Sequence, residues 1–268
     1  MNSSLLWKRP LRVLLVCTFL FLSCQASARE RILALYVPLA DHYAALVAYE
    51  RYRHQFKHAD FQLSQMKNWD LLRAHFRSGN VDMAYVMSPL ALDMYREDKN
   101  FRWVGLMHRD GNGLAVTPGM ADAMGLVNQR ADRKPSPAVA QSLQKMALER
   151  DQILRVGVPH ILSTHTVVLS HFLWRNGMQL SLAPNMPGDV LAIPVAPAKA
   201  PAFILGAQNS DRIAAIEQSL PWVDQVENQS NGKVVWYSKD VLAWPGGARR
   251  VYCHCNRHGF GAEAGSCA

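Results

Sequence analysis

The chain has 268 residues and a formal net charge of +8, with 49% of its residues hydrophobic and 19% charged. That length suits two small lobes or one large one. Lys and Arg are interleaved with Asp and Glu and form no run longer than a pair, which speaks against nucleic-acid binding.

The first 28 residues have the pattern of a secretory signal. Lys8, Arg9 and Arg12 make a positive start, Val13 to Leu22 an apolar core, and Ala26-Ser27-Ala28 a small-x-small cleavage site before Arg29. A competing lipoprotein reading would modify Cys24, but Phe21 and Leu22 are poor lipobox residues. The apolar run is too short to stay in a bilayer as a helix. The expectation is therefore a periplasmic product carrying a charge of +5 once the three leader cations are gone. Cysteine usage agrees: Cys17 and Cys24 leave with the leader and none follows until Cys253, so the body must hold by packing.

Strands and helices then alternate, as in an α/β protein. The pattern predicts a strand over 32–37, a helix over 40–56, a strand over 61–65, and a helix over 69–77 that Asn68 caps and Gly79 stops. Val81 to Met87 reads as a strand, followed by Ser88-Pro89 as N-cap and first helical residue. Phe101 to Met107 is a further strand, and the glycine-rich turn of residues 108–113 leads to a short strand over 114–116. Residues 119–152, with Pro135 and Pro137, form a surface connection ending in an amphipathic helix over 138–150. A second set begins with a strand over 154–158, broken by Pro159, and a helix that Ser163-Thr164 caps and Gly177 ends. Residues 191–195, 202–205 and 234–237 are further strand candidates.

Three stretches carry a resemblance: SGNVDMAYVMSPLAL from Ser78, HRDGNGLAV from His108, and LRVGVPHILSTHTVVLSHFLWRNGM from Leu154. With the leader and the alternating elements, they resemble the nitrate/sulfonate/bicarbonate class of ABC-transporter substrate-binding proteins, which includes taurine-binding and thiamine-precursor-binding relatives. The likeness runs from about Arg31 to Gly247. It implies a type II periplasmic binding fold of two α/β lobes with a ligand cleft between them. The division expected is lobe 1 over 29–118, lobe 2 over 119–235, and a return toward lobe 1 over 236–248. It also implies a monomer that binds a small anionic solute between two helix N-termini and hands it to an inner-membrane permease, with no catalysis and no resident cofactor. The rival readings are a thiamine-pyrimidine-type enzyme, for which the body lacks the cysteine motif, and a periplasmic sensor without transport.

Six residues are candidate ligand contacts. Trp69 matches a pocket tryptophan of the nitrate-binding branch, where an indole closes over a planar anion, but a core tryptophan fits as well. Ser88 can donate to a ligand or simply cap its helix. Asp110 stands where relatives carry glutamine; a carboxylate there repels an oxyanion unless it points away, the ligand is donor-rich, or a divalent cation bridges. Asn112 suits either a turn or a ligand. Thr164 and His165 open the helix after the strand over 154–158, where the resemblance puts a pocket histidine. Leu220 replaces the acid of the class's Glu/Asp-Pro-Trp turn before Pro221-Trp222.

After Gly247 the composition changes abruptly. Residues 249–268 read as an aberrant, disordered tail from a shifted frame, which would leave the first lobe incomplete. The competing reading, a zinc cluster of Cys253, His254, Cys255, His258 and Cys267, lacks the usual Cys-x2-4-Cys spacing.

Overall fold

A computed structural model describes residues 29–108, 110–242 and the backbone of 252–255. The leader and most of the tail, including His258 and Cys267, lie outside the described residues.

The chain folds around two sheets. The first has the order β2-β1-β3-β11-β4, from β1 (Glu30–Tyr36), β2 (Ala59–Gln65), β3 (Met83–Val86), β4 (Arg102–Leu106) and β11 (Tyr252–Cys255). β1 runs parallel to β2 and β3, pairing Glu30 with Ala59 and Ala34 with Met83. β11 lies antiparallel between β3 and β4. Residues 252–255, assigned by sequence to an aberrant tail, are thus a strand inside the first sheet. A cysteine-histidine pattern carries no strand period, so this pairing was invisible locally.

Around this sheet pack α1 (Tyr43–Tyr52), α2 (Trp69–Arg77) and α3 (Ser88–Glu97). Asn68 caps α2, its side chain accepting from the Leu71 N–H at 2.9 Å. The cap of α3 differs from expectation: Met87 occupies the N-cap position, Ser88 is the first helical residue, and no side chain caps this end. Leu35, Val37, Trp69, Leu72, Phe76, Leu90 and Met94 make the core of the lobe.

The second sheet has the order β10-β5-β9-β6-β8-β7. Its strands are β5 (Asn112–Val116), β6 (Leu154–Val158), β7 (Leu180–Ser181), β8 (Val190–Pro194), β9 (Ala214–Ser219) and β10 (Lys233–Tyr237). β6, β8 and β9 are parallel, whereas β5 runs antiparallel to β9 and β10. β5 therefore belongs to the second sheet, although the sequence placed 29–118 in the first lobe. The chain crosses earlier, through the turn ending at Gly111.

The flanking helices are α4 (Pro118–Ala123), α5 (Pro137–Glu149), α6 (Thr164–Arg175), α7 (Ala200–Asn209), α8 (Trp222–Ser230) and the short α9 (Ser238–Val241). Ser163 caps α6, accepting from the Thr166 N–H at 3.1 Å. Residues 202–205, expected as a strand, lie within α7. Its buried positions Ala200, Pro201, Ile204 and Ala207 follow a helical period that a four-residue apolar run does not reveal. β9 was not anticipated, because the polar triplet Glu217-Gln218-Ser219 masks a strand buried on both faces.

The connection before α5 is pinned rather than loose. Arg133, only 4% exposed in its side chain, pairs with Glu227 at 2.6 Å and donates to the Val234 carbonyl at 2.7 Å on edge strand β10. Arg130 pairs with Glu227 and with Asp224. Burial alone would raise the Glu227 carboxyl, but the hydrogen bonds from Arg133 and Arg130 prevail and hold it below its ordinary value. This network covers the open edge of the sheet, which would otherwise present unpaired backbone groups.

Candidate functional site

The carboxyl ends of the parallel strands in both sheets converge on one seam, the usual place for a ligand in open α/β sheets. Backbone bonds hold it shut: Ala40 N–H donates to the Leu220 carbonyl at 2.8 Å and Leu220 N–H to the Gly111 carbonyl at 3.0 Å. The Trp222 indole donates to the Pro38 carbonyl at 2.7 Å. His160, in the loop after β6, meets Asp70 of α2 at 3.3 Å.

Ser219, the last residue of β9, is the hub. Its hydroxyl lies 2.9 Å from His165 Nε2, 3.0 Å from Asn112 Oδ1 and 3.1 Å from Asp41 Oδ2. Asn112 in turn donates from Nδ2 to Thr164 Oγ1 at 3.3 Å. Asp41 follows β1, Asn112 opens β5, and Thr164 and His165 open α6, so four separate chain segments meet at one hydroxyl. The second oxygen of Asp41 faces His108 Nδ1 at 3.5 Å. That approach depends on the turn between them: Asp110 and Gly111 have φ of 56° and 86°, and a Cβ on Gly111 would stand 2.9 Å from the His108 ring.

Burial dominates the electrostatics. Removal from water pushes the Asp41 carboxyl up to about 6, with the His108 charge and the Ser219 hydrogen bond opposing it. The same desolvation lowers His165 to about 3 and His42 to about 4, so both rings are neutral at ordinary pH. His42 is held by its Nδ1 against the Val37 carbonyl at 2.6 Å, and its ring meets Trp69 edge-on at 5.9 Å.

The sequence candidates divide accordingly. Asn112, Thr164 and His165 are brought together. Asn112 serves as the first residue of a strand rather than as a turn former. Trp69 is 1% exposed and sits in the first-lobe core behind His42. Ser88 is half-buried at the head of α3. Asp110 is half-buried in the crossing turn, and the carboxylate at the hub is instead Asp41. Asp41, His108 and Ser219 escaped the sequence reading; the one available signal was the placement of Asp41-His42 just after a strand end.

Among the described residues, eight carry a buried polar side-chain atom with no hydrogen-bond partner, and three of the eight belong to this seam: Asp41 Oδ1 and His108 Nδ1, which face each other at 3.5 Å, and His165 Nδ1. Such groups are costly when left unsatisfied. A Ser-His-Asp relay would set the acid on the imidazole Nδ1. Here Asp41 is on the serine, and His165 Nδ1 has no partner. Among the described residues no group of three or more His, Cys, Asp or Glu could hold a metal ion, and no helix is long and apolar enough to cross a membrane.

The sequence matches the NMT1-like family over residues 29–252, and the chain belongs to that family. No curated protein matches it in sequence. Solved structures of similar fold include the ligand-binding component of an ABC-type import system from Staphylococcus aureus with zinc bound (21% identical, TM-score 0.62, covering 85% of this chain and 66% of that one). They also include the periplasmic nitrate-binding protein NrtA of Synechocystis (16%, 0.65, 85% and 56%) and the alkanesulfonate-binding protein SsuA of Xanthomonas axonopodis bound to MOPS (13%, 0.54, 86% and 67%). The chain thus spans between 56% and 67% of the length of these three, and at such identities the likeness is one of fold. That fold is the two-lobed α/β architecture of periplasmic binding proteins.

Proposed function

We propose that this member of the NMT1-like family is the solute-binding component of an ABC importer, working in the periplasm and taking a small solute of the nitrate, sulfonate or bicarbonate type at the seam between its lobes. The observation that carries the reading is the buried polar cluster of Asp41, His108, Asn112, His165 and Ser219 where strand ends of both sheets meet, in which Asp41 Oδ1, His108 Nδ1 and His165 Nδ1 have no hydrogen-bond partner among the described residues. A solute that satisfies them gains hydrogen bonds that water cannot replace in the closed form.

In this reading α6 supplies its capped N-terminus and Thr164, while α3 approaches from the other lobe with Ser88. Binding and lobe closure are one event, because the bond from Ser219 to Asp41 forms only where the two lobes meet. Any divalent cation arrives with the solute, and the partner that receives the solute is a membrane permease. In this reading the solute is handed on unchanged.

The test is a fluorescence titration of the full chain with nitrate, ethanesulfonate, taurine and bicarbonate, each with and without calcium. Saturable binding of at least one solute, with a shift in tryptophan emission, is expected. Absence of binding across the panel contradicts the proposal.

A further inference from the structure

A cavity of about 450 Å³ opens beside edge strand β10, between the connection before α5 and the turn into α9, and shares no residue with the seam. Four cations line it, Arg130, Arg133, Lys134 and Lys239, against one carboxylate, Asp240. The nearby acids behind the wall are already committed. Glu227 holds both arginines, and Asp224 takes Arg130 at 2.9 Å and the Tyr237 hydroxyl at 2.7 Å. Asp240 is shared between the Tyr237 N–H at 3.4 Å and Lys134 at 3.5 Å, the latter long for a charge-assisted bond. Lys239 is exposed and has no ion pair among the described residues. Four cations thus face three carboxylates, and Asp132, in the same connection, is exposed and outside the lining. Trp236, part of the β10 wall, is 1% exposed, and its indole N–H has no acceptor among the described residues.

We infer that this cavity is a second ligand site, separate from the seam and independent of its functional reading, for a small organic polyanion carrying carboxylate or phosphate groups. Size argues for an organic body, since cavities of about 300–1,000 Å³ hold whole small molecules and an inorganic ion would leave most of this one empty. Charge sets the class. Lys134 and Lys239 come from opposite walls, so a ligand with two or more negative charges can engage both, and each contact gains from being charge-assisted. The arginines are anchored by Glu227 and Asp224, hold the two walls together and leave the lysines to meet the ligand. Ala131 and Val235 offer apolar surface to its body.

Calorimetry of the full chain with citrate and with pyrophosphate, at an ionic strength held constant with sodium chloride, tests the inference, acetate being the singly charged control. At least one polyanion should bind saturably, and acetate at least about tenfold more weakly; which polyanion binds separates carboxylate from phosphate recognition. Lys134→Ala and Lys239→Ala change exposed side chains outside the core, and each should weaken binding by about threefold, the double variant by about tenfold. His165→Phe, in the seam, should leave the affinity unchanged. Saturable binding of neither polyanion, equal binding of acetate, or parental affinity in the double lysine variant overturns the inference. Loss of binding in a folded His165→Phe variant also overturns it, because the polyanion would then sit in the seam.

Discussion

Ser219 and Asp41 lie 178 positions apart, yet the serine hydroxyl reaches the carboxylate at 3.1 Å and ties the end of a strand in the second sheet to the loop after the first strand of the first. Both groups are buried. The serine also bonds Asn112 and His165 of its own lobe, whereas Asp41 takes its side-chain hydrogen bond from the other lobe, so for the carboxylate the bond is a consequence of closure and a contributor to it.

Removing that hydroxyl tests its weight. Ser219→Ala strips three polar contacts from the hub and leaves Asp41 with no hydrogen bond from the second sheet. Loss of a partner to a buried charged group costs about 1–3 kcal/mol, and the melting temperature should fall accordingly. A variant as stable as the parent would show that the seam is held by its backbone bonds alone.

The pH dependence has a sign that one variant can isolate. Glu217 is fully buried with neither oxygen bonded, and desolvation raises its carboxyl well above 4.5. The native chain then holds a proton that the unfolded chain releases, so stability is complete below about 4.5 and is lost as pH rises, by about 1.4 kcal/mol per unit. Asp41, raised to about 6, acts in the same direction between 3.8 and 6. His42 and His165, lowered by burial to about 4 and about 3, act in the opposite direction, losing stability as pH falls below 6.5. Glu217→Gln removes one contribution and leaves the others. Its melting temperature should exceed the parent's at pH 7, with the gain vanishing toward pH 4.5. A pH-independent difference would contradict the burial argument.

The network over the sheet edge should be worth more than any surface pair. Arg133→Ala removes the more buried of the two arginines on Glu227 and uncovers the Val234 carbonyl, and breaking such a pair costs about 3–5 kcal/mol. Lys145→Ala, in a pair 73% and 60% exposed, should change stability by less than about 1 kcal/mol. Denaturant unfolding of the two variants measures the contrast, and equal effects would refute it.

How much of this was legible in the sequence follows from the range of each signal. Asn68 and Ser163 announce the starts of α2 and α6 through chemistry confined to one turn, and the apolar run of β6 is readable alone. Asn112, Thr164 and His165 could be singled out because strand-to-turn and strand-to-helix junctions are visible locally. Asp41 and Ser219 were not, since neither means anything until 178 residues of chain bring them together. Trp69 fits a pocket wall and a core position equally well in sequence, and only its place behind His42 separates the two. The run over 202–205 is apolar enough for either a strand or a helix, and the packing of Ile204 and Ala207 decides.

The account rests most heavily on the claim that the polar hub is a solute site rather than a structural knot. His165→Phe replaces both imidazole nitrogens by apolar atoms within the same buried space, and calorimetry of parent and variant with the tightest solute of the panel decides the matter. The account predicts one solute bound per parent chain and at least a tenfold loss of affinity in a variant whose native near-ultraviolet signature is intact. Equal dissociation constants for the two proteins would contradict it.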